Sequence, residues 1–443
     1  MADRQQLSER IYSAMAEDED ARVCRDIPEE ACNDQPLAFT LQLLSQILTK
    51  IGDALTSSRL VLAWMLSSLG APAVYIAMLV PLRESLSLLP QLFVAQAMRV
   101  HPLRKFFWVG GSIGQGLCLA LMVVAVLTLQ GNALGLAVIG LLALFSLSRG
   151  VCSVAAKDVL GKTVSKSRRG RLGGLAASAS GAITLAVAGA LLLVPLLAGG
   201  EPAGGNRWFF AALLAGCAVL WMLAAAVYAG VPEVAGATEG GGNAFTEAIR
   251  SVGLLRSDAD LRHFVIARAL LVSTAFAIPY LVVMIQQNSR EGGLGFAALL
   301  LAEGLAGLLS GHLWGRWSDS ASEKVMAAAA GLSLVLMLAT LMLNAVHAPW
   351  LGYPPLAGLL LFVAAVAHQG ARIGRKTYLV DMAGSDNRAS YTAVSNTVIG
   401  LLLLSGGLLG WVDATWGTAM VLLLLSLLAA AAVASAWRLR PVN

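Results

Sequence analysis

From position 36 onward, apolar residues come in long runs separated by short polar or charged breaks. A bilayer core of about 30 Å is crossed by roughly 20 helical residues. Runs of that length or more lie near 38–66, 72–96, 106–129, 134–156, 172–198 and 207–229. Six more lie near 263–286, 294–314, 325–346, 355–374, 391–411 and 417–437. The pattern predicts an all-α integral membrane protein with twelve transmembrane helices, numbered here as spans one to twelve.

The chain also repeats itself. At an offset of 220, "SRGVCS…SRRGRLGG" near 148–174 falls on "HQGARI…DNRASYTA" near 368–393, so that Gly150 meets Gly370 and Arg168 meets Arg388. At an offset of 219, "QAMRVHPLRK" (96–105) meets "GRWSDSASEK" (315–324). The expected organisation is an acidic tail (1–36), a six-helix half (37–229), a linker (230–262), a second six-helix half (263–437) and a short C-terminal tail (438–443). Parallel six-helix repeats are a transporter architecture in which the solute site lies near the midplane, between the halves.

Charge sets the orientation. With a cytoplasmic N-terminus, the inner loops and C-terminal tail hold 19 Lys and Arg residues, and the outer loops hold only Arg207 and Arg290. That asymmetry follows the positive-inside rule and places both termini in the cytoplasm. Trp108, Trp208, Trp314, Trp350, Trp411 and Trp437 fall near predicted helix ends, as interfacial rings do, whereas Trp64 and Trp221 lie inside spans. The tail shows no signal-peptide core. Its Leu7, Ile11 and Met15 stand at helical spacing, compatible with a surface helix or with a solvated acidic tail. The linker's GATEGGGNAF has the composition of a flexible connection.

Composition agrees with the span reading: AVILMFWYC residues make up 57% and charged residues 13% of the 443 positions, against about 25% charged in soluble domains. The whole chain is +5 and the tail −6, which leaves +11 on residues 37–443. Those charges lie between apolar runs, so they mark membrane topology and not a nucleic-acid surface. The cysteines suggest no disulfide framework. Cys24, Asp26, Cys32 and Asp34 have a poor spacing for zinc, and no metal or cofactor is expected. "GGSIGQG" (110–116) and "GGLLG" (406–410) lie inside apolar spans and read as close helix packing. No nucleophile with a neighbouring His and acid can be placed, so an enzyme is not expected.

The 6+6 repeat, the long inner connection and a loop signature G-x-x-x-D-x-x-G-R-K after spans two and eight resemble the major facilitator superfamily, over roughly residues 37–437. In the second half Gly315, Asp319 and Lys324 match, with Ser322 and Glu323 at the second glycine and the arginine. In the first half Arg104 and Lys105 remain, while Gln96 and Val100 stand for the glycine and the aspartate. The resemblance implies gating roles for Arg104, Lys105, Gly315, Asp319 and Lys324, and a central site lined by spans 1, 2, 4, 5, 7, 8, 10 and 11. Span five has Gly181, Gly189 and Pro195 but no Gly-Pro pair, so a drug antiporter is not specifically indicated.

Charge inside the spans supplies the functional candidates. Six cations (Lys50, Arg59, Arg83, Arg149, Arg268, Arg372) stand against three acids (Asp53, Glu84, Glu303), with His368 besides. A charge at a helix centre costs about 2.5–3.5 kcal/mol on insertion scales, so each should face a cavity or a partner. Lys50, Asp53, Arg83, Glu84, Arg149, Glu303, His368 and Arg372 form the shortlist for a solute or proton pathway. Each has a structural alternative. Lys50 and Asp53 can pair at i,i+3, and Glu84 can anchor Arg59 or Arg149. Arg268 can snorkel to the inner surface. His368, one turn from Arg372, can be a hydrogen-bonded packing residue. The cationic excess points to an anionic or zwitterionic solute. The expected protein is a secondary transporter of the plasma membrane, or of the inner membrane in a Gram-negative cell, using alternating access and proton coupling. Its partners are a small molecule, protons and membrane lipids. A lipid or lysolipid flippase, or a non-transporting scaffold or sensor, are the alternatives.

Overall fold

The computed structural model describes residues 27, 29–89, 91–198, 206–236, 253–289, 292–382 and 388–442. All twelve predicted spans are helical. Ten helical stretches among the described residues are long and apolar enough on their own to cross a bilayer, as a chain in lipid requires if its backbone groups are to pair internally. The exceptions carry chemistry: span one contains Lys50 and Asp53 and is broken, and span eight offers only the shorter apolar stretch Gly295–Ser310. The tail's predicted helix at 7–15 and most of the linker lie outside the described residues.

The break in span one is absent from the sequence expectation of a continuous run. Span one is two helices, Glu29–Leu55 and Val61–Ser68, with irregular backbone between them. The last helical bond before the break is from the Thr56 amide to the Gly52 carbonyl at 2.9 Å, and the Thr56 hydroxyl donates to the same carbonyl at 2.8 Å. Irregular backbone at membrane depth persists only where it is buried in protein or lines a cavity, and this segment does the latter. The first helix also starts at Glu29, inside the segment assigned to the tail. On it, Cys32 is disulfide-bonded, contrary to the expectation, because pairing depends on the path of the chain and not on cysteine spacing.

Several helices outrun their apolar stretches. Span four is Gly131–Thr163, span five Lys166–Ala198 and span ten Pro354–Met382, so Lys157, Arg375 and Lys376 are helical residues where loops were expected. Spans eight and nine run from Gly292 to His347 with a single departure from helical geometry at Ala321 (φ −161°, ψ 70°). The expected 315–324 loop is therefore a kink. Hydropathy marks where lipid ends, whereas a helix continues for as long as its backbone bonds are supported.

The two halves meet along helices bearing small residues. Spans five and eight pack through a reciprocal pair: a Cβ on Gly181 would lie 2.9 Å from Leu308 Cδ2, and one on Gly304 would lie 2.9 Å from Leu185 Cδ2. Span two packs against span eleven, and Val61–Ser68 against span seven. At the end remote from the described terminal helix ends, Phe296 of the second half is fully buried. Its ring lies 5.8 Å from Trp64, 5.7 Å from Phe209 and 5.9 Å from Phe210, all of the first half. Gln286 reinforces this seal by donating to the Trp64 carbonyl at 3.4 Å.

Candidate functional site

Below the aromatic seal lies a cavity of about 370 Å³ between the halves. Span one and its break contribute Lys50, Asp53, Ser57 and Arg59; span two contributes Arg83 and Glu84; span four contributes Arg149. Ser180, Gly181 and Thr184 of span five, Glu303 and Gly304 of span eight, and Gln369 and Arg372 of span ten also line it.

Asp53 organises the first half. Its Oδ1 accepts from Arg83 Nη2 at 2.9 Å and also from Arg149 Nη1, which ties spans one, two and four together through one oxygen. Arg83 spends its second donor on the Thr56 carbonyl at 2.8 Å, a backbone acceptor available at the break. The guanidinium also lies over the Phe145 ring, 5.4 Å from its centroid, a contact favourable for a cation over an aromatic face. Glu84 has its own cation, Arg59, at 2.6 Å.

Glu303 differs from both acids. Its Oε1 accepts from the Ser57 hydroxyl at 3.3 Å, and its Oε2 is buried with no hydrogen-bond partner. The positive charges that bear on it are those of Arg59 and Arg83, yet among the described residues no cation is bonded to it. With Lys50, Arg59, Arg83, Arg149 and Arg372 on the wall against Asp53, Glu84 and Glu303, cations outnumber acids by two.

Seven of the eight shortlisted pathway residues line this one cavity: Lys50, Asp53, Arg83, Glu84, Arg149, Glu303 and Arg372. His368 does not. It is buried in span ten, one turn from Arg372, with Nδ1 3.3 Å from the Thr274 hydroxyl. The expected Lys50–Asp53 pair gives way to the two arginines, which reach Asp53 from other helices. Arg268 does not snorkel: it is buried, and it donates to Ser395 Oγ at 2.5 Å and Asn396 Oδ1 at 2.8 Å. Arg59, named among the embedded cations, also lines the cavity, while Ser57, Ser180, Thr184 and Gln369 were not among the candidates. The embedded Arg59 beside Ser57 and Ser58 was the available signal for Ser57.

The gating candidates of the first half sit in a compact charge network. Glu233, just after span six, has a side chain with no exposed surface. Its carboxylate accepts the backbone amides of Arg104 at 3.0 Å and Lys105 at 2.7 Å, and so caps the helix Lys105–Thr128, where a negative charge offsets the unpaired amides and the helix dipole. Lys162 bridges Glu233 at 3.2 Å and Asp158 at 2.7 Å. Arg104 also pairs with Asp158, and Lys105 Nζ donates to the Val231 carbonyl at 2.8 Å. In the second half Gly315 is half-buried and Lys324 exposed, while the Asp319 side chain lies outside what the structure describes.

No family model matches the sequence, and no curated protein matches it. Solved structures do. A crystal structure of a D-xylose-proton symporter superposes with a TM-score of 0.65 at 12% identity, over 91% of this chain and 98% of the other. The inward-open conformation of the xylose transporter XylE from E. coli gives 0.62 at 12% identity, over 91% and 96%. Identity this low establishes fold alone: the chain is a multi-pass membrane protein with the transporter fold of these symporters, the fold that the resemblance to the major facilitator superfamily implied.

Proposed function

We propose that the protein is a secondary active transporter that moves a small anionic or zwitterionic solute across the plasma membrane by alternating access, with protons as the coupling ion. The observation that carries this reading is the charged cavity on the seam between the halves, sealed at one end by Phe296 and Trp64. Eight charged side chains gathered at membrane depth are costly to insert and are kept where a polar pathway needs them. The likeness to a D-xylose-proton symporter supports proton coupling.

In this reading the halves 37–229 and 263–437 rock about the site, and residues 230–262 join them on the cytoplasmic side. Both termini are cytoplasmic, and the present arrangement is closed to the outside. Arg104, Lys105, Gly315, Asp319 and Lys324 lie at the inner gate. The chain offers no nucleotide-binding motif, so a gradient supplies the drive.

The test is flux in proteoliposomes carrying the purified full chain, with and without an imposed pH gradient. A solute that accumulates only under the gradient supports the reading. Absence of gradient-driven movement for anions, zwitterions and sugars alike would sink it.

A further inference from the structure

The ion pairs of the cavity leave two cations over. Asp53 is taken by Arg83 and Arg149, and Glu84 by Arg59. Among the described residues Lys50 and Arg372 have no hydrogen bond or ion pair, although both line the cavity and Arg372 is exposed to it. They come from opposite halves, Lys50 from span one and Arg372 from span ten, and Lys50 feels the charge of Arg372. Like charges on the wall of one cavity repel. The acid that bears on Lys50, Asp53, is already held by two arginines.

Three more cations lead to the pair. Lys376 feels Arg372, Arg375, Lys157 and Lys50 together. Lys157 lies eight residues past Arg149 along span four, roughly 12 Å toward the helix end at 1.5 Å per residue. Lys157 and Lys376, both exposed, fit the ordinary role of basic anchors at the inner surface. Lys50 and Arg372 do not fit it, because they share the cavity wall with Asp53 and Arg149.

We infer that the solute is a small dianion whose two negative ends bridge Lys50 and Arg372, drawing the two halves together around it. The inference rests on the transporter reading of this cavity and narrows it. A bridging dianion turns the repulsion between the two cations into two attractions, so occupancy itself favours closure over the site. A monoanion satisfies one cation and leaves the other. A neutral sugar would find the Gln369 amide and the hydroxyls of Ser57, Ser58, Ser180 and Thr184 but no aromatic ring among the described lining residues, and it would leave Lys50 and Arg372 without a counter-charge. The cavity volume, at the small end of ligand sites of about 300–1,000 Å³, suits a molecule of a few carbons.

The test uses the purified full chain in nanodiscs, with succinate as the dianion, propionate as the monoanion, glycine as the zwitterion and D-xylose as the neutral solute. Succinate should raise the thermal midpoint and bind at least tenfold more tightly than the other three, and the advantage should shrink in high salt. Lys50→Gln and Arg372→Gln should each weaken succinate at least tenfold, with Arg372→Lys recovering part of the loss. Among the described residues Arg372 has no bonded partner, so its removal strands none there and the variant should fold. Equal binding of propionate, glycine or D-xylose, or unchanged succinate binding by both variants, overturns the inference. Phosphatidylglycerol in the nanodisc separates a lipid headgroup from a free solute: if it stabilises the protein and succinate does not, the dianion solute is wrong. Flux distinguishes the two levels of the reading. Movement of D-xylose without succinate would retain the transporter and remove the dianion. Succinate binding with no flux of any solute would do the reverse.

Discussion

Ser57 donates a 3.3 Å hydrogen bond to Glu303 across the seam between the halves. The donor stands in the break of span one, and the acceptor stands on span eight. Oε2 of the same carboxyl has no hydrogen-bond partner among the described residues, whereas Asp53 and Glu84 are each held by arginine, so Glu303 is the cavity acid expected to carry the coupling proton. A proton on Glu303 also removes a charge that would otherwise draw Arg59 away from Glu84.

Glu303→Gln should therefore abolish uphill, proton-driven accumulation while solute exchange between equal compartments persists, since the amide mimics the protonated acid. Counterflow and gradient-driven uptake, measured on the same proteoliposomes, read the two activities separately. Full accumulation by the variant would remove Glu303 as the carrier.

Asp53 and Glu84 should behave as anchors. Removing one partner of a buried pair costs about 3–5 kcal/mol, and the loss should be smaller at Glu84, where 35% of the side chain is exposed to the cavity. Asp53→Asn strands two arginines and should lower the thermal midpoint in detergent more than Glu84→Gln does. The reverse order, or two variants as stable as the parent, would contradict this assignment.

The sequence made the spans and the charged shortlist legible because insertion energetics are written locally: apolar length predicts a crossing, and an embedded charge predicts a cavity. What it left open depends on three dimensions. Lys50 and Asp53 satisfy the i,i+3 rule, yet Arg83 and Arg149 win Asp53 by approaching from two other helices. The bend at Thr56–Leu60 has no glycine or proline to announce it. His368 and Arg372 stand one turn apart, yet only Arg372 lines the cavity, and His368 meets Thr274 of span seven. Glu233 had no motif at all, because its role as a cap is fixed by where a distant helix begins.

That cap gives the next expectation. Glu233→Gln weakens the capping of Lys105–Thr128 and takes the charge from Lys162. The start of that helix and residues 231–236 should exchange backbone hydrogens faster than in the parent. Insertion should be unaffected, since the spans satisfy their own backbone bonds. Unchanged exchange at both segments would mean that the carboxylate is not what holds them.

A second cap lies outside the lipid and titrates. Asp258 accepts the amides of Asp260 and Leu261 and a bond from the Tyr391 hydroxyl. Burial pushes its carboxyl up, but the Tyr391 hydroxyl and the two amides outweigh that and hold it below its ordinary 3.8. A carboxyl depressed in the folded state adds stability above its unfolded value, and the contribution is lost as pH falls through the folded one. Asp258→Ala should cost about 1 kcal/mol, as lost caps do. Its deficit in thermal midpoint should be full at pH 7 and pH 5 and should shrink below pH 4. A deficit that grew on acidification would contradict the sign.

The aromatic seal supplies the final expectation. Phe296 is fully buried among Trp64, Phe209 and Phe210, and truncating a buried phenylalanine costs about 3–5 kcal/mol. These three ring pairings all join one half to the other, so the penalty falls on the state closed at this end and spares a state in which the halves have parted there. Phe296→Ala should shift the population toward that open state rather than unfold either half. The shift can be read with a cysteine at Thr184, a buried residue on the cavity wall; Cys118, Cys152 and Cys217 are themselves buried. A membrane-impermeant thiol reagent applied from the face opposite the termini should label Thr184→Cys slowly in the parent and several-fold faster in the Phe296→Ala background. Labelling from the termini face should slow in step, because the two openings draw on one equilibrium. Acceleration from both faces together would indicate general loosening, and no change from either would show that the seal is held by residues other than Phe296.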